Sequence, residues 1–187
     1  MNSDRRYPDA VSGPFETPPL EFADREDRSI EITPYDGSED EFDALVEMYT
    51  AFDPSDRAQG IPPGKEARVR SWLEGILADD CLNVIAWDGR TAAGHSTLVP
   101  DGDDDFELAI FVLQAYQQAG IGTHLIESLL GYGDEHGITK VWLTVERWNH
   151  PAVSLYEKVG FETTGAESFE LEMAIRIAAE TSDRDSD

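Results

Sequence analysis

The sequence predicts one α/β domain organised around a sheet of mixed strand direction. Its 187 residues are enough chain to bury one sizeable hydrophobic core. Along the chain, apolar residues change between the alternation typical of strands and the spacing typical of helices. The resulting order is a strand, two helices and three strands, then a helix, a strand, a helix and a strand. Strands joined by a tight turn pair antiparallel, whereas strands separated by a helix can pair in parallel, so we expect both directions in one sheet.

Each element has a local signal. The predicted strands cover residues 29–34, 82–87, 91–99, 106–112, 140–145 and 168–177. Asp88-Gly89-Arg90 is a turn sequence that makes the second and third strands a hairpin. Four helices are predicted. The first follows the capping box at Ser38–Glu41, and the next two cover residues 65–78 and 123–136. The fourth runs from Asn149 to the C′ glycine Gly160. Segment 52–64, rich in proline and glycine, is predicted to be a loop.

The two ends of the chain are predicted to lie outside the domain. Residues 1–28 combine prolines and charges with little periodicity, so we expect a mobile arm, although Phe15, Leu20 and Phe22 could dock locally. Residues 178–187 are expected to form an acidic tail. The domain is therefore assigned to residues 29–177.

The charge balance is strongly acidic. The chain has 39 Asp and Glu residues against 14 Lys and Arg, for a net charge of −25. No basic patch can be assembled from so few cations, so we expect no binding to nucleic acid. Acidic residues spread along the whole chain resemble the composition of proteins from extreme halophiles, which is the origin we favour. An acidic surface for a cationic partner is the alternative.

Cysteine content and hydropathy indicate whether the protein forms disulfides, binds a metal or associates with a membrane. Cys81 is the only cysteine, so neither an intrachain disulfide nor a multi-cysteine zinc site can form, and we expect no metal. The charged N-terminus is not followed by the apolar stretch of a signal peptide, and no apolar run approaches membrane-spanning length. We therefore expect a cytoplasmic protein that does not bind a membrane.

The most informative motif lies between the strand at 106–112 and the helix at 123–136. Gln117-Gln118-Ala119-Gly120-Ile121-Gly122 turns the chain from one into the other. Backbone N–H groups at a helix start are unpaired and lie at the positive end of the helix dipole, so such a corner binds anions, phosphates above all. A Rossmann motif is excluded because Leu125 replaces the third glycine, and a P-loop because no Gly-Lys-Ser/Thr follows. An ordinary tight loop is the alternative.

Several segments in the correct order resemble one known family. The glycine corner is similar to the acetyl-CoA signature Arg/Gln-x-x-Gly-x-Gly/Ala of the Gcn5-related N-acetyltransferases. Residues 149–161 resemble the family segment Asn-x-x-Ala-x-x-Leu-Tyr-x-Lys-x-Gly-Phe, and the Asp88-Gly89 hairpin is followed by Gly94, as in the family. The resemblance covers residues 29–177.

The resemblance implies a fold and an activity. The fold would be a mixed central sheet of about six to seven strands flanked by about four helices, with a splayed strand pair for the cofactor. The activity would be direct transfer of an acetyl group from acetyl-CoA to a primary amine of a small molecule or a peptide or protein, and members often pair as homodimers. A non-catalytic module that only binds acyl-CoA is the first alternative, and a purely structural protein is the second.

The resemblance also implies which residues bind coenzyme A. They are Val112, Leu113, Gln117, Gln118, Ala119, Gly120, Ile121, Gly122, Thr123, Asn149 and Tyr156. Backbone amides of 118–123 would bind the pyrophosphate, and the pantetheine arm would lie between 110–113 and 140–145. A backbone N–H near Val112 or Leu113 could polarise the thioester carbonyl.

Three of these residues either depart from the family pattern or have a structural alternative. The family often has a glycine and a basic residue where this chain has Gln118 and Ala119, so we expect the phosphate site to depend on backbone amides. Asn149 is as readily a helix cap as a ligand contact.

The candidate catalytic residues are Tyr156, Glu107 and Glu146. Tyr156 would protonate the leaving thiolate or donate a hydrogen bond to it, and a plain core tyrosine is the alternative. Glu107 lies in the expected strand, but its parity puts it on the face opposite Val112 unless a β-bulge intervenes. Glu146, Asp105 and a water chain compete with Glu107 as the base. The four histidines are expected to be surface or capping residues.

Overall fold

One eight-stranded sheet organises the protein. The computed structural model describes residues 5–57, 61–102 and 104–179. The strands in that part of the chain are β1 (Leu20–Ala23), β2 (Ser29–Pro34), β3 (Leu82–Asp88), β4 (Thr91–Pro100), β5 (Phe106–Val112), β6 (Lys140–Glu146), β7 (Glu162–Ala166) and β8 (Glu170–Arg176). The helices are α1 (Glu39–Thr50), α2 (Glu66–Ile76), α3 (Ile121–Glu135) and α4 (His150–Val159). The strand order is β1-β2-β3-β4-β5-β6-β8-β7, and among these described strands only the β5–β6 pair is parallel.

The sheet separates two layers of helices. One hydrophobic core lies between the sheet and helices α3 and α4, and a second lies under α1 and α2. Apolar residues at helical spacing bury one face of α3, since Leu125, Ile126, Leu129 and Leu130 are fully buried. Ser38 caps α1, as predicted, by accepting a hydrogen bond from the N–H of Glu41 at 3.2 Å.

Strands β5 and β6 separate soon after they meet. They pair only at Phe106–Val141 and Glu107–Trp142, although β5 continues to Val112 and β6 to Glu146. The gap between their C-terminal halves leaves backbone groups that a continuous ladder would use. This is the predicted splayed pair, and it opens a cleft in the middle of the sheet.

The sheet has two strands that the sequence analysis missed. Strand β1 lies in the supposed arm and pairs antiparallel with β2, with Leu20 opposite Ile32. Its short alternation was obscured by the prolines and charges around it. Strand β7 follows Phe161 and is an edge strand of mostly polar and small residues, so it has no apolar pattern to detect.

Residues 5–28 lie against the domain, which corrects the expectation of a mobile arm for this part of the chain. The guanidinium of Arg5 lies 3.6 Å from the ring centroid of Trp142 and donates to Asp101 at 3.0 Å. At Gly131 a Cβ atom would be only 2.7 Å from the carbonyl oxygen of Glu16, so this segment packs directly on α3. The allowance for local docking is confirmed for three side chains that pack on the core, namely Phe15, Leu20 and Phe22. Residues 1–4, and 180–187 of the predicted tail, lie outside the described residues.

His95 is a core residue, not the surface or capping residue that the sequence analysis favoured. It is fully buried between α1 and the sheet. Its Nε2 donates to Asn83 Oδ1 at 2.7 Å, because the amide nitrogen of Asn83 donates to the carbonyl of Ile76 and thereby fixes the orientation of the amide. Its Nδ1 accepts from the hydroxyl of Tyr49 at 2.6 Å. Burial lowers the pKa of His95 to about 3, so the ring is neutral.

No helix among the described residues is both long and apolar enough to span a membrane.

Candidate active site

The cleft between β5 and β6 brings most of the predicted site residues together. It has a volume of about 970 Å³ and is bounded by β5, the glycine corner, the end of β6, and α4. Of the predicted site residues, those that line it are Glu107, Val112, Gln117, Gln118, Gly120, Gly122, Thr123, Glu146, Asn149 and Tyr156. Leu113, Ala119 and Ile121 are not among the lining residues.

The glycine corner forms one end of the cleft. Gly120 is the N-cap of α3 and has a φ of 90°, a conformation that glycine adopts without the steric cost of a Cβ atom. Gln118 also has a positive φ, 59°, which is uncommon for a residue with a Cβ. The first-turn N–H groups of α3 have no partners within the helix, so they are available to an anion where Gly122 and Thr123 line the cleft.

The side chains of the loop itself contribute little to this corner. The amide nitrogen of Gln117 donates to the carbonyl of Val112 at 3.0 Å, so it closes the loop internally. The side chains of Ala119 and Ile121 are buried in the core, with exposures of 3% and 1%. Only the backbone of these two residues is therefore available to an anion.

Strand β5 presents alternate N–H groups to the cleft. The N–H of Leu113 donates to the carbonyl of Ala93 in β4 at 3.0 Å, so it is already used and Leu113 cannot polarise a thioester. Because N–H groups alternate along a strand, those of Ile110 and Val112 point to the other side, towards the gap beside β6. Of the two predicted donors, Val112 is the one with suitable geometry.

Tyr156 forms part of the cleft wall. It lies on the inner face of α4 and is 8% exposed. Burial raises the pKa of its hydroxyl to about 12, so the phenol stays protonated at neutral pH. A protonated phenol in the cleft can donate a hydrogen bond to an anion.

Glu107 faces the side of the sheet that α1 and α2 cover. The register of β5 with β4 is unbroken from Phe106 to Val112, so parity keeps Glu107 opposite Val112, as predicted. The bulge lies instead in β4, where Ala93 is the extra residue between the Trp87–Ala92 and Ala86–Gly94 pairs. The register of β5 therefore leaves Glu107 on the face that α1 and α2 cover, and its side chain lines the cleft from that face.

The environment of Glu107 raises the pKa of its carboxyl above the ordinary value. Burial raises its pKa, the charge of Arg5 opposes that rise, and Asp101 and Glu170 add to it. A half-buried carboxylate with a raised pKa is a stronger base than an exposed one.

Two other predicted bases have different surroundings. Glu146 ends β6 with the same parity as Trp142, the residue that pairs with Glu107, so both carboxylates lie on one face. Its Oε2 accepts from the indole N–H of Trp148 at 3.1 Å. Asp105 is buried and accepts from the hydroxyl of Tyr7 at 2.7 Å, and it is not among the residues that line the cleft.

Asn149 has the capping role that the sequence left open. Its Oδ1 accepts from the N–H of Ala152 at 3.4 Å at the start of α4, and the residue also lines the cleft.

Of the charged residues that line the cleft, sequence reasoning missed Asp56, Arg57, Lys158 and Glu170, and it also missed Arg25, which contacts the glycine corner. Arg25 lies in the turn between β1 and β2, and its N–H donates to the carbonyl of Ala119 at 3.0 Å. No local motif signals this residue, because its position follows from a strand pairing that the sequence did not reveal.

A family model and several known proteins match parts of the chain. The model of a family described as "Acetyltransferase (GNAT) family" matches residues 42–161. A mycothiol acetyltransferase of Corynebacterium glutamicum is 39% identical over 86 residues, which are 46% of this chain and 29% of that protein. An N-alpha-acetyltransferase of Sulfolobus acidocaldarius is 38% identical over 90 residues, 48% of this chain and 52% of the relative. The matches thus span about half or less of these relatives.

Solved structures share the fold. The GNAT domain of S. lividans PAT superposes with a TM-score of 0.70 at 16% identity, covering 86% of this chain and 99% of that one. YncA of Salmonella typhimurium, solved with its cofactor acetyl-CoA, gives a TM-score of 0.65 at 16% identity, covering 81% and 96%.

Proposed function

The chain belongs to the GNAT acetyltransferase family, and from that premise we propose that it transfers an acetyl group from acetyl-CoA directly to a primary amine. The observation that carries the proposal is the cleft between the splayed strands, with an anion site at one end and a buried tyrosine in its wall. The acceptor is the amine of a small molecule or of a peptide or protein.

The backbone supplies the binding site for the co-substrate in this proposal. The pyrophosphate of coenzyme A lies on the N–H groups that begin α3, next to Gly120 and Gly122. The pantetheine arm follows β5 along the gap, with Asn149 on the opposite wall. The N–H of Val112 then donates to the thioester carbonyl and stabilises the negative charge that develops there.

Tyr156 stabilises the leaving thiolate by a hydrogen bond. A thiol has an ordinary pKa of about 8.5, so it is a stronger acid than a phenol whose pKa is about 12. Full proton transfer from Tyr156 to the thiolate is therefore uphill, whereas donation of a hydrogen bond is favourable. The proton that neutralises the thiolate comes from the amine that has attacked the carbonyl.

Glu107 is the base that prepares the amine. Its side chain lies on the face of the sheet from which an acceptor can approach, and burial makes its carboxylate more basic. Glu146 lies on the same face, but one of its oxygens is already engaged by Trp148. We therefore assign Glu146 to binding the acceptor.

The acidic composition fits a cytoplasm of high salt concentration. A net charge of −25 opposes folding through self-repulsion unless counterions screen it. We propose that the protein comes from an extreme halophile, works in the cytoplasm, and pairs as a homodimer in the manner of related enzymes.

Thiol release tests the proposed function. Purified protein in concentrated KCl is mixed with acetyl-CoA and a panel of polyamines, amino sugars and peptides with free N-termini, and free CoA is followed over time. We expect amine-dependent release of CoA. Binding of CoA without turnover across the panel would favour the non-catalytic module, and absence of CoA binding would exclude both functions.

A further inference from the structure

The phosphate site needs a cation that its own loop does not contain. Coenzyme A is an anion, and this protein carries a net charge of −25, so long-range electrostatics oppose their association. Gln118 and Ala119 supply no positive charge at the glycine corner. Backbone N–H groups alone would have to bind the pyrophosphate.

Arg25 reaches the corner from the turn between β1 and β2. Its guanidinium donates from Nη1 to the carbonyl of Gln118 at 3.4 Å. A Cβ built on Gly120 would lie 4.0 Å from Nε of Arg25, and Arg25 lines the same cleft as Gly120 and Gly122. The positive charge thus lies beside the first-turn amides of α3.

The turn that carries Arg25 is held in place by Asp24. This carboxylate is 6% exposed and accepts hydrogen bonds from the N–H groups of Glu26 and Arg28, both at 2.9 Å, and from Nε of Arg28 at 2.7 Å. Burial opposes ionisation of Asp24, but these hydrogen bonds outweigh it and hold its pKa below the ordinary value. Arg28 also donates to the carbonyl of Ala115 at 3.1 Å, which ties the turn to the chain just before the corner.

The charge of Arg25 is available to a ligand. Arg5, Arg28 and Arg70 each form ion pairs with carboxylates. Within the described ranges no carboxylate oxygen lies within 4.0 Å of the guanidinium of Arg25. The side chain is exposed, and its planar fork of donors suits two phosphate oxygens.

We propose that Arg25 binds the pyrophosphate of coenzyme A and replaces the cation that is absent from the glycine corner. This inference rests on the proposed function, because it assigns a residue of the same co-substrate site. It also gives the β1–β2 hairpin a role: this segment brings a positive charge to a site that lies about 90 residues away in the sequence.

Calorimetric titration of three protein forms tests the proposal. Arg25→Gln removes the charge and keeps the N–H that binds Ala119, and Arg90→Gln is the matched control, an exposed turn arginine that does not line the cleft. At moderate salt we expect Arg25→Gln to weaken binding of CoA about five-fold, the effect of one exposed charge-assisted contact, with no change for Arg90→Gln. Unfolding temperatures measured in the same buffer verify that each variant is folded.

Titrations with a second ligand and at several salt concentrations identify which phosphate group Arg25 contacts. Dephospho-CoA lacks the 3′-phosphate but keeps the pyrophosphate, so the loss in Arg25→Gln should persist with it. The difference between wild type and variant should shrink as KCl approaches 1 M, where the screening length falls to about 3 Å. Equal CoA affinity of wild type and Arg25→Gln would overturn the inference and leave the proposed function standing. A loss that disappears with dephospho-CoA would also overturn it, whereas failure of the wild type to bind CoA would refute the proposed function itself.

Discussion

Replacing Tyr156 by phenylalanine removes one oxygen atom from the wall of the cleft. The side chain is 8% exposed, and its ring packs against Phe161 with centroids 5.8 Å apart, so the packing survives the change. A hydrogen bond to a charged group contributes about 1.5–3 kcal/mol, because the alternative is a poorly solvated anion. If Tyr156 binds the thiolate only as it leaves, kcat should fall about 10- to 150-fold while the Kd for CoA stays nearly constant.

The raised pKa of Tyr156 adds a prediction for the pH profile. Since burial raises that pKa to about 12, the phenol remains protonated throughout an ordinary assay range. Tyr156 should therefore cause no loss of activity on the alkaline side below about pH 11. If activity declines at alkaline pH in the wild type but not in Tyr156→Phe, the phenol ionises at a lower pH than its burial predicts.

Steady-state thiol release gives kcat, and calorimetry gives the Kd for CoA. Tyr132→Phe is the matched control, because Tyr132 is a half-buried tyrosine on α3 that does not line the cleft. Unchanged turnover in Tyr156→Phe would remove the residue from the mechanism. An equal loss of CoA affinity would show that the hydroxyl binds the ground state instead of the leaving group.

Three further substitutions test the base, the core and the N-terminal segment. Glu107→Gln should lower kcat about 100-fold or more and abolish the acidic limb of the pH profile, since the base must be deprotonated and its raised pKa places that limb at a higher pH. Tyr49→Phe should lower the free energy of unfolding by about 1–3 kcal/mol in a denaturant titration, because it leaves Nδ1 of the buried His95 without its donor. Gly131→Ala should lower the melting temperature, because a Cβ 2.7 Å from the carbonyl oxygen of Glu16 costs about 1–3 kcal/mol, against a gain of about 1 kcal/mol in helix propensity.

Each of these substitutions has an outcome that contradicts its premise. An acidic limb that persists in Glu107→Gln and disappears in Glu146→Gln would transfer the role of base to Glu146. Unchanged stability of Tyr49→Phe would mean that His95 finds another donor, such as a buried water. A higher melting temperature for Gly131→Ala would show that residues 15–16 do not pack on α3.

The sequence was sufficient wherever a local pattern determines a local structure. The Asp88-Gly89 turn, the Ser38 cap and the C′ glycine Gly160 all correspond to features of the structure, because each depends on a few neighbouring residues. The glycine corner was located for the same reason, since Gly120 adopts the positive φ that its residue type permits.

Features without a clear local pattern were not accessible. Strand β1 pairs with the neighbouring β2, but its four residues give too short an alternation to be distinguished from a loop among the surrounding prolines and charges. The contribution of Arg25 to the cleft follows from the same pairing. The sequence also could not decide which N–H group of β5 is available in the cleft, because that depends on the pairing of β5 with β4. In the structure the N–H of Leu113 is bonded to β4, and that of Val112 faces the gap.

A crystal structure with acetyl-CoA would show where the co-substrate binds. We expect the pyrophosphate on the N–H groups of residues 120–123, the pantetheine arm in the gap between β5 and β6, and the sulfur within hydrogen-bond distance of the Tyr156 hydroxyl. Acetyl-CoA bound outside this gap, or an empty gap in crystals grown at saturating acetyl-CoA, would contradict this binding mode.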